Sequence, residues 1–170
     1  MGDAPPTAPP VGLSLRLLTR GEAERVVARR RDPAADLAWA AKYPLEGDTR
    51  ASAAYASRLP ARAGVSASDP FGYYQVVEDG TVVGGIGFHG PPQGGVAEVG
   101  YGVVPSVRGR GVATAALRMI LEMAPALAGV SRVTGRTTED NRASQAVMRA
   151  VGMELVGRDP DFLHFEIDLG

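Results

Sequence analysis

Residues 96–117 (VAEVGYGVVPSVRGRGVATAAL) constrain the chain most: an apolar, β-branched strand runs into a Gly/Arg turn that opens a helix. Gly109 and Gly111 permit φ > 0 and close approach of a ligand to the backbone. The first N–H groups of a helix beginning near Gly111, through Val112, Ala113 and Thr114, have no intrahelical partner and sit at the positive end of its dipole, so an anion is expected there. Arg108 and Arg110 add two permanent charges whose donors fit phosphate oxygens. A dinucleotide-binding G-x-G-x-x-G competes, but position 114 is Thr where the third Gly would stand, and no acidic residue ends a second strand roughly 20 residues on. No Gly-Lys-Ser/Thr occurs, which excludes a P-loop. The remaining alternative is a Gly-rich connection with solvated arginines.

The 170 residues suit a single domain with its own core, and a 45% hydrophobic share fits a globular protein. A net charge of -1 gives no global reason to expect nucleic acid as partner. No cysteine is present, which removes disulfides and thiolate chemistry, and the two histidines have no finger-like pairing, so no metal is expected. No apolar run approaches the ~20 residues of a membrane span. The start, MGDAPPTAPP, lacks the regions of a signal peptide, so residues 1–12 read as a disordered tail, 13–170 as the domain, and the cytoplasm as the compartment. The Ala, Gly and Arg bias points to a GC-rich bacterial source.

Leu13, Leu15 and Leu17 alternate as a first strand, and Thr19-Arg20-Gly21-Glu22 reads as a capping box opening a helix that runs to Arg29-Arg30-Arg31. Residues 34–42 predict a second helix with Trp39 and Tyr43 on one face, either walling a substrate pocket or packing in the core. Another helix is expected around Arg50 to Leu59. Asp79-Gly80 between 73–78 and 81–88 is a type I′ hairpin signal, and the glycines of the second strand invite close approach by another group. The helix from Gly111 carries an apolar stripe to Pro125, and 132–137 forms a strand parallel to 96–104. Asn141 is a good N-cap for a helix ending at Gly152, followed by strands 153–157 and 162–169. The result is a mixed α/β sheet in one domain.

The spacing Arg108-x-x-Gly111-x-Ala113 after a strand resembles the pyrophosphate-binding motif of the GNAT superfamily of acyl-CoA-dependent N-acyltransferases, and the element order resembles that fold from Leu13 to Leu169. The resemblance implies a mostly antiparallel sheet whose one parallel pair, strands 96–104 and 132–137, splays into a cleft for acetyl-CoA. Main-chain groups of Gly102, Val103 and Val104 would pair with pantetheine, and an N–H near Gly102 or Val103 would polarise the thioester carbonyl, a contribution of ~3 kcal/mol. Glu98 stands where many family members keep a general base for the attacking amine; a partly buried carboxylate with a raised pKa suits that task, and pairing with an arginine is its alternative. Tyr101 should face away from Glu98 by alternation, which assigns it to core packing. Asn141-Arg142-Ala143-Ser144 resembles the start of the last helix in the Rim-type branch, which acetylates protein N-termini or small amines. There the Asn holds the cofactor and the Ser lies near the sulfur as a proton donor. Other members place a Tyr seven residues after this Asn, where this chain has Met148, so Ser144 takes that role. Arg149 reaches the nucleotide phosphates or is simply an exposed helix arginine.

His89 ends its strand opposite Glu98 and is a candidate for the acceptor site, with a turn histidine as the alternative; His164 is assigned a structural role, and Glu166 is a second candidate base. The expected activity is acetyl transfer from acetyl-CoA to a primary amine (a protein N-terminus, an amino acid or polyamine, or an amino-sugar antibiotic) in a ternary complex, without nucleic acid or membrane and with homodimerisation open. The alternative is a non-catalytic acyl-CoA-binding sensor or structural module.

Overall fold

A computed structural model describes residues 10–170. In chain order the elements are β1 (Leu13–Leu17), α1 (Arg20–Val27), β2 (Ala38–Trp39), α2 (Glu46–Arg58), β3 (Tyr73–Glu78), β4 (Thr81–Phe88), β5 (Val96–Val103), α3 (Val112–Met123), β6 (Arg132–Thr137), α4 (Arg142–Ala150), β7 (Glu154–Arg158) and β8 (Leu163–Asp168). The strands form one sheet in the order β1-β3-β4-β5-β6-β8-β7, with β2 beside the start of β4. β5 and β6 run parallel and the other neighbours along this path antiparallel. Asp79 and Gly80 take φ of 47° and 77°, the type I′ geometry expected of the β3–β4 hairpin.

Residues 1–9 of the expected tail lie outside the described residues. The next three are drawn into the sheet edge, since Leu13 N–H donates to Pro10 O and Asp79 N–H to Gly12 O. α1 opens on the expected capping box, with Thr19 accepting from Glu22 N–H and Glu22 from Thr19 N–H. It stops at Val27, earlier than the arginine run, with Arg29 at φ 52°.

The helix expected over 34–42 does not form. Asp36 binds Arg25 through both oxygens (2.8 and 2.6 Å) and accepts Asp32 N–H at 2.8 Å, which folds 32–36 into turns. β4 begins before its pairing with β5 does, and β2 pairs with that early segment through Ala38↔Thr81 and Trp39↔Val82. Unpaired main-chain groups at a strand end outweigh the modest helix propensity of a few alanines.

α1 packs on α2, and α2 lies over β3, β4 and β5; α3 packs on β1, β4, β5 and α4. The larger core, with Val76, Val82, Ile86, Val104, Leu117, Ile120 and Phe165, is distinct from a smaller one of Leu18, Ala23, Val26, Tyr55, Leu59 and Tyr73 under α1 and α2. No helix among the described residues is long and apolar enough to cross a membrane.

Candidate functional site

β5 and β6 pair through Val96↔Arg132, Ala97↔Val133 and Glu98↔Thr134, and the ladder ends there while both strands continue. On the other side β5 stays bonded to β4, with His89 N–H on Glu98 O (2.9 Å) and Val104 N–H on Val83 O (2.8 Å). An antiparallel ladder alternates, so the main-chain groups of Glu98, Gly100, Gly102 and Val104 are turned toward β4. Those of Tyr101 and Val103 point into the gap toward β6. The expectation that Gly102 and Val104 offer main-chain donors to a ligand is corrected by this pleat: Val104 is buried with its N–H already used.

The gap opens into a cleft of about 690 Å³ lined by Gly102, Val103, Arg108, Gly109, Gly111, Val112, Ala113, Thr114, Asn141 and Ser144, together with Tyr101. Gly109 and Gly111 take φ of 73° and 78°, and nothing stands within 4 Å of where their Cβ atoms would be. No side chain caps α3, so its first N–H groups are open to the cleft. Arg108, which lines the cleft, reaches back to Val103 O through Nε (3.2 Å), and its terminal nitrogens have no partner among the described residues. Two expected phosphate ligands are engaged elsewhere: Arg110 makes a forked pair with Glu78 (3.1 and 2.9 Å), and Arg149 stacks over Phe165 at 5.3 Å. Asn141 caps α4 as expected, accepting Ser144 N–H at 3.1 Å, and Met148 is buried.

Tyr101 does face away from Glu98, and its half-buried ring packs against the larger core as expected, but its hydroxyl is turned to a polar partner. Its hydroxyl lies 2.9 Å from Ser144 Oγ and donates to Ser144 O at 3.1 Å. Burial raises its pKa, with the Ser144 hydrogen bond opposing, so the phenol keeps its proton. Tyr101 and Gly102 also line a second cavity, of about 550 Å³, beneath α2. Its floor is a patch without side chains, Gly87, Gly100 and Gly102. A Cβ on Gly85 would land on the Tyr73 hydroxyl, so the glycines of β4 make room for that ring. Tyr73 in turn donates to Asp48 Oδ1 at 2.5 Å, while Asp48 Oδ2 accepts Leu45 N–H at 2.7 Å. Desolvation raises the pKa of Asp48 on the cavity wall, and the Tyr73 hydrogen bond opposes it.

His89 lines this second cavity. Its Nδ1 lies 3.2 Å from Glu98 Oε1, and Nε2 is the nearest atom to where a Cβ of Gly100 would stand, 2.7 Å away. Arg136 Nε holds the same Glu98 oxygen at 2.9 Å. The pKa of Glu98 is lowered, chiefly by the His89 hydrogen bond and further by the charge of Arg136, against a smaller opposing effect of burial. The raised pKa expected of Glu98 is therefore corrected: this is an ionised carboxylate holding two side chains. Glu166 pairs with Arg132 (3.4 Å) and His164 with Asp159 (2.6 Å). Trp39 and Tyr43 line neither cavity; their rings meet edge-on at 5.2 Å, and Tyr43 is buried with its hydroxyl near Gln75. Among the described residues no group of three or more acidic or histidine side chains could hold a metal.

Sequence reasoning missed Asp48, Arg58, Tyr73 and Arg136, all on the second cavity. The one available signal was Leu-Glu-Gly-Asp, an acidic third helical position able to cap its own helix start.

The fold has counterparts among known proteins. The acetyltransferase (GNAT) domain family matches residues 13–154. An uncharacterized N-acetyltransferase of Bacillus subtilis, YjdG, is 32% identical over 85 residues, 49% of this chain and 51% of that one, so the chain matches about half the length of this curated relative. Among solved structures, a ribosomal-protein-S5-alanine acetyltransferase from Vibrio fischeri superposes with TM-score 0.65 at 15% identity, covering 92% of this chain and 93% of that one. Mycobacterium smegmatis RimJ, in complex with CoA-disulfide, superposes with TM-score 0.63 at 22% identity, covering 92% and 81%. At such identities the likeness is one of fold, and the family match over most of the sequence adds what fold alone does not: this chain belongs to the GNAT acetyltransferase family.

Proposed function

We propose that the protein transfers an acetyl group from acetyl-CoA to a primary amine in a ternary complex. The observation that carries this reading is the meeting of two cavities at Tyr101 and Gly102, one ending at an uncapped helix start and the other at a histidine–carboxylate pair. The chain's residues fit the cofactor: the open N–H groups of Val112, Ala113 and Thr114, with Arg108, suit a pyrophosphate, and the edge of Tyr101 and Val103, which has no strand partner on the β6 side, suits an amide-bearing arm laid alongside it as a further strand. Acetyl-CoA supplies an acyl thioester already activated toward amines.

His89 and Glu98 divide the work of the base. The Glu98 carboxylate, 3.2 Å from His89 Nδ1, favours the tautomer with its proton on that nitrogen and so leaves Nε2 bare over Gly100. Nε2 takes the proton that an ammonium must lose before its nitrogen can attack. On the opposite face, the Ser144 hydroxyl gives a proton to the departing sulfur as it takes one from the Tyr101 phenol, and the phenol is made good by the proton that the attacking nitrogen sheds as it becomes an amide. The Val103 N–H faces the same gap as a donor for carbonyl oxygen.

Calorimetric titration with acetyl-CoA, with NAD and ATP as controls, followed by thiol release against a panel of amines, tests the proposal. Selective binding with amine-dependent release is expected. Binding without release from any amine would leave a sensor, and absence of binding would remove the cofactor from the cleft.

A further inference from the structure

Three arginines line the second cavity, and two of them already have carboxylate partners: Arg50 bonds Glu46 (2.9 Å) and Arg136 bonds Glu98 (2.9 Å). Arg58 differs. Its two terminal nitrogens donate to main-chain carbonyls, Phe71 O at 2.9 Å and His89 O at 3.3 Å, and its Nε is buried with no partner. Among the described residues no carboxylate lies within ion-pair distance of it. Two carbonyl dipoles orient a guanidinium without neutralising it, so the cavity wall carries a fixed, half-buried positive charge that is incompletely hydrogen-bonded.

Its position relative to the reacting end can be read from the backbone. Leu45, just before α2, lies over Gly102, where a Cβ would come 3.6 Å from Leu45 Cδ1. At the other end of the helix Arg58 Cζ lies 4.0 Å from where a Cβ of Gly90 would stand. α2 therefore runs along the cavity from the passage at Tyr101 and Gly102 toward the level of His89 and Glu98, which are cross-strand neighbours. From Gly100 or Gly102 to Glu98 along β5 is two to four residues, about 7–13 Å at the rise of a strand. Ala51 and Ala54, small residues on the lining face of α2, leave the space between open.

We propose that Arg58 is the acceptor-recognition residue, and that the acceptor is a peptide N-terminus with an acidic side chain at its second or third residue. This rests on the acetyltransferase reading above and specifies its substrate class. Two or three extended residues cover about 7–10 Å, which places a carboxylate of such a peptide at Arg58 when its amine stands over Gly100. A free amino acid is too short to reach both ends, and a polyamine would bring positive charge against the Arg58 guanidinium, which no carboxylate neutralises.

C-terminally amidated peptides Ser-Ala-Glu-Ala, Ser-Ala-Gln-Ala and Ser-Ala-Lys-Ala, with spermidine, test this by calorimetry on the CoA-loaded protein and by thiol release. The Glu peptide should bind and turn over about tenfold or more better than the Gln peptide, and the Lys peptide and spermidine should be poorest. Arg58→Gln should abolish the preference for Glu over Gln, mainly through KM, and Arg58→Glu should transfer it to the Lys peptide. Unchanged acetyl-CoA affinity in both variants confirms that they are folded; if either misfolds, Arg58→Met, which keeps an apolar stem and removes the charge, replaces it against the same peptides and should likewise lose the preference for Glu over Gln. Equal binding of Glu and Gln peptides to the native protein would overturn the inference, whatever the turnover. Arg58-dependent binding of the Glu peptide with no thiol release from any amine would instead uphold the recognition and overturn the enzyme reading.

Discussion

The Tyr101 hydroxyl lies 2.9 Å from Ser144 Oγ, bridging β5 to the first turn of α4 at the point where the two cavities meet. Neither residue is held there by apolar packing alone, because each hydroxyl finds its partner in the other. The pair thus works as a unit, and its chemistry should fail as a unit.

Ser144→Ala and Tyr101→Phe should each lower kcat by about 10–100-fold while changing acetyl-CoA affinity little, and the double variant should be no worse than the poorer single one. Steady-state kinetics of the three variants checks this; multiplicative losses would mean that the two hydroxyls act separately.

Arg108 and Arg110 are neighbours in sequence with opposite fates. Arg108→Ala should weaken CoA binding about tenfold, ~1.4 kcal/mol, whereas Arg110→Ala should alter it less than about twofold. Because the Arg110–Glu78 pair is exposed on the arginine side, its loss should cost no more than about 1 kcal/mol of stability. Titration calorimetry and denaturant unfolding separate the two effects.

His89→Gln should reduce kcat by about 100-fold, with partial rescue by added imidazole, since half of the His89 side chain is exposed. Glu98→Gln should give a smaller loss that imidazole does not rescue, because the base remains present but is no longer held in one tautomer.

Asp36 is held below the usual carboxylate range, chiefly by the Arg25 guanidinium and then by Asp32 N–H, against a desolvation effect that opposes them. A depressed folded-state pKa contributes stability that is present above the unfolded value and is lost as pH falls through the folded one. Asp36→Asn should therefore cost about 2 kcal/mol at neutral pH. The gap between native and variant should begin to close below about pH 4 and vanish in stronger acid, as followed by urea unfolding across pH.

Gly85→Ala should destabilise the fold by about 2 kcal/mol, because the new methyl group lands on the Tyr73 hydroxyl in a fully buried site. Near-ultraviolet circular dichroism should report the displaced tyrosine, and acceptor KM should rise with it.

The Gly109–Gly111 turn, the hairpin and the Asn141 cap were legible because each rests on local residue chemistry: positive φ at Gly109, Gly111 and Gly80, or a side chain bonding its own backbone. The cavity beneath α2 was not, since it depends on how distant segments meet. Asp48 matters through Tyr73, twenty-five residues on, and Arg58 through the carbonyl of His89, thirty-one residues on. Periodicity also misread residues 34–42, where Asp36 and the start of β4 impose their own geometry on an alanine-rich stretch. Glu98 was found by position, but its neighbours set its charge state.

The abrupt end of pairing between β5 and β6 has a mechanical consequence. Five strands on one side and three on the other are joined edge to edge by three residue pairs, with α3 and α4 bridging above. An amide-bearing ligand lying along Tyr101 and Val103 would act as a splint across that seam, lending rungs that the polypeptide does not supply. Occupancy should then be felt far from the cleft: amides of β6 and β8 ought to exchange more slowly with solvent when it is filled, and the two blocks of sheet ought to unfold as one cooperative body rather than part along the seam.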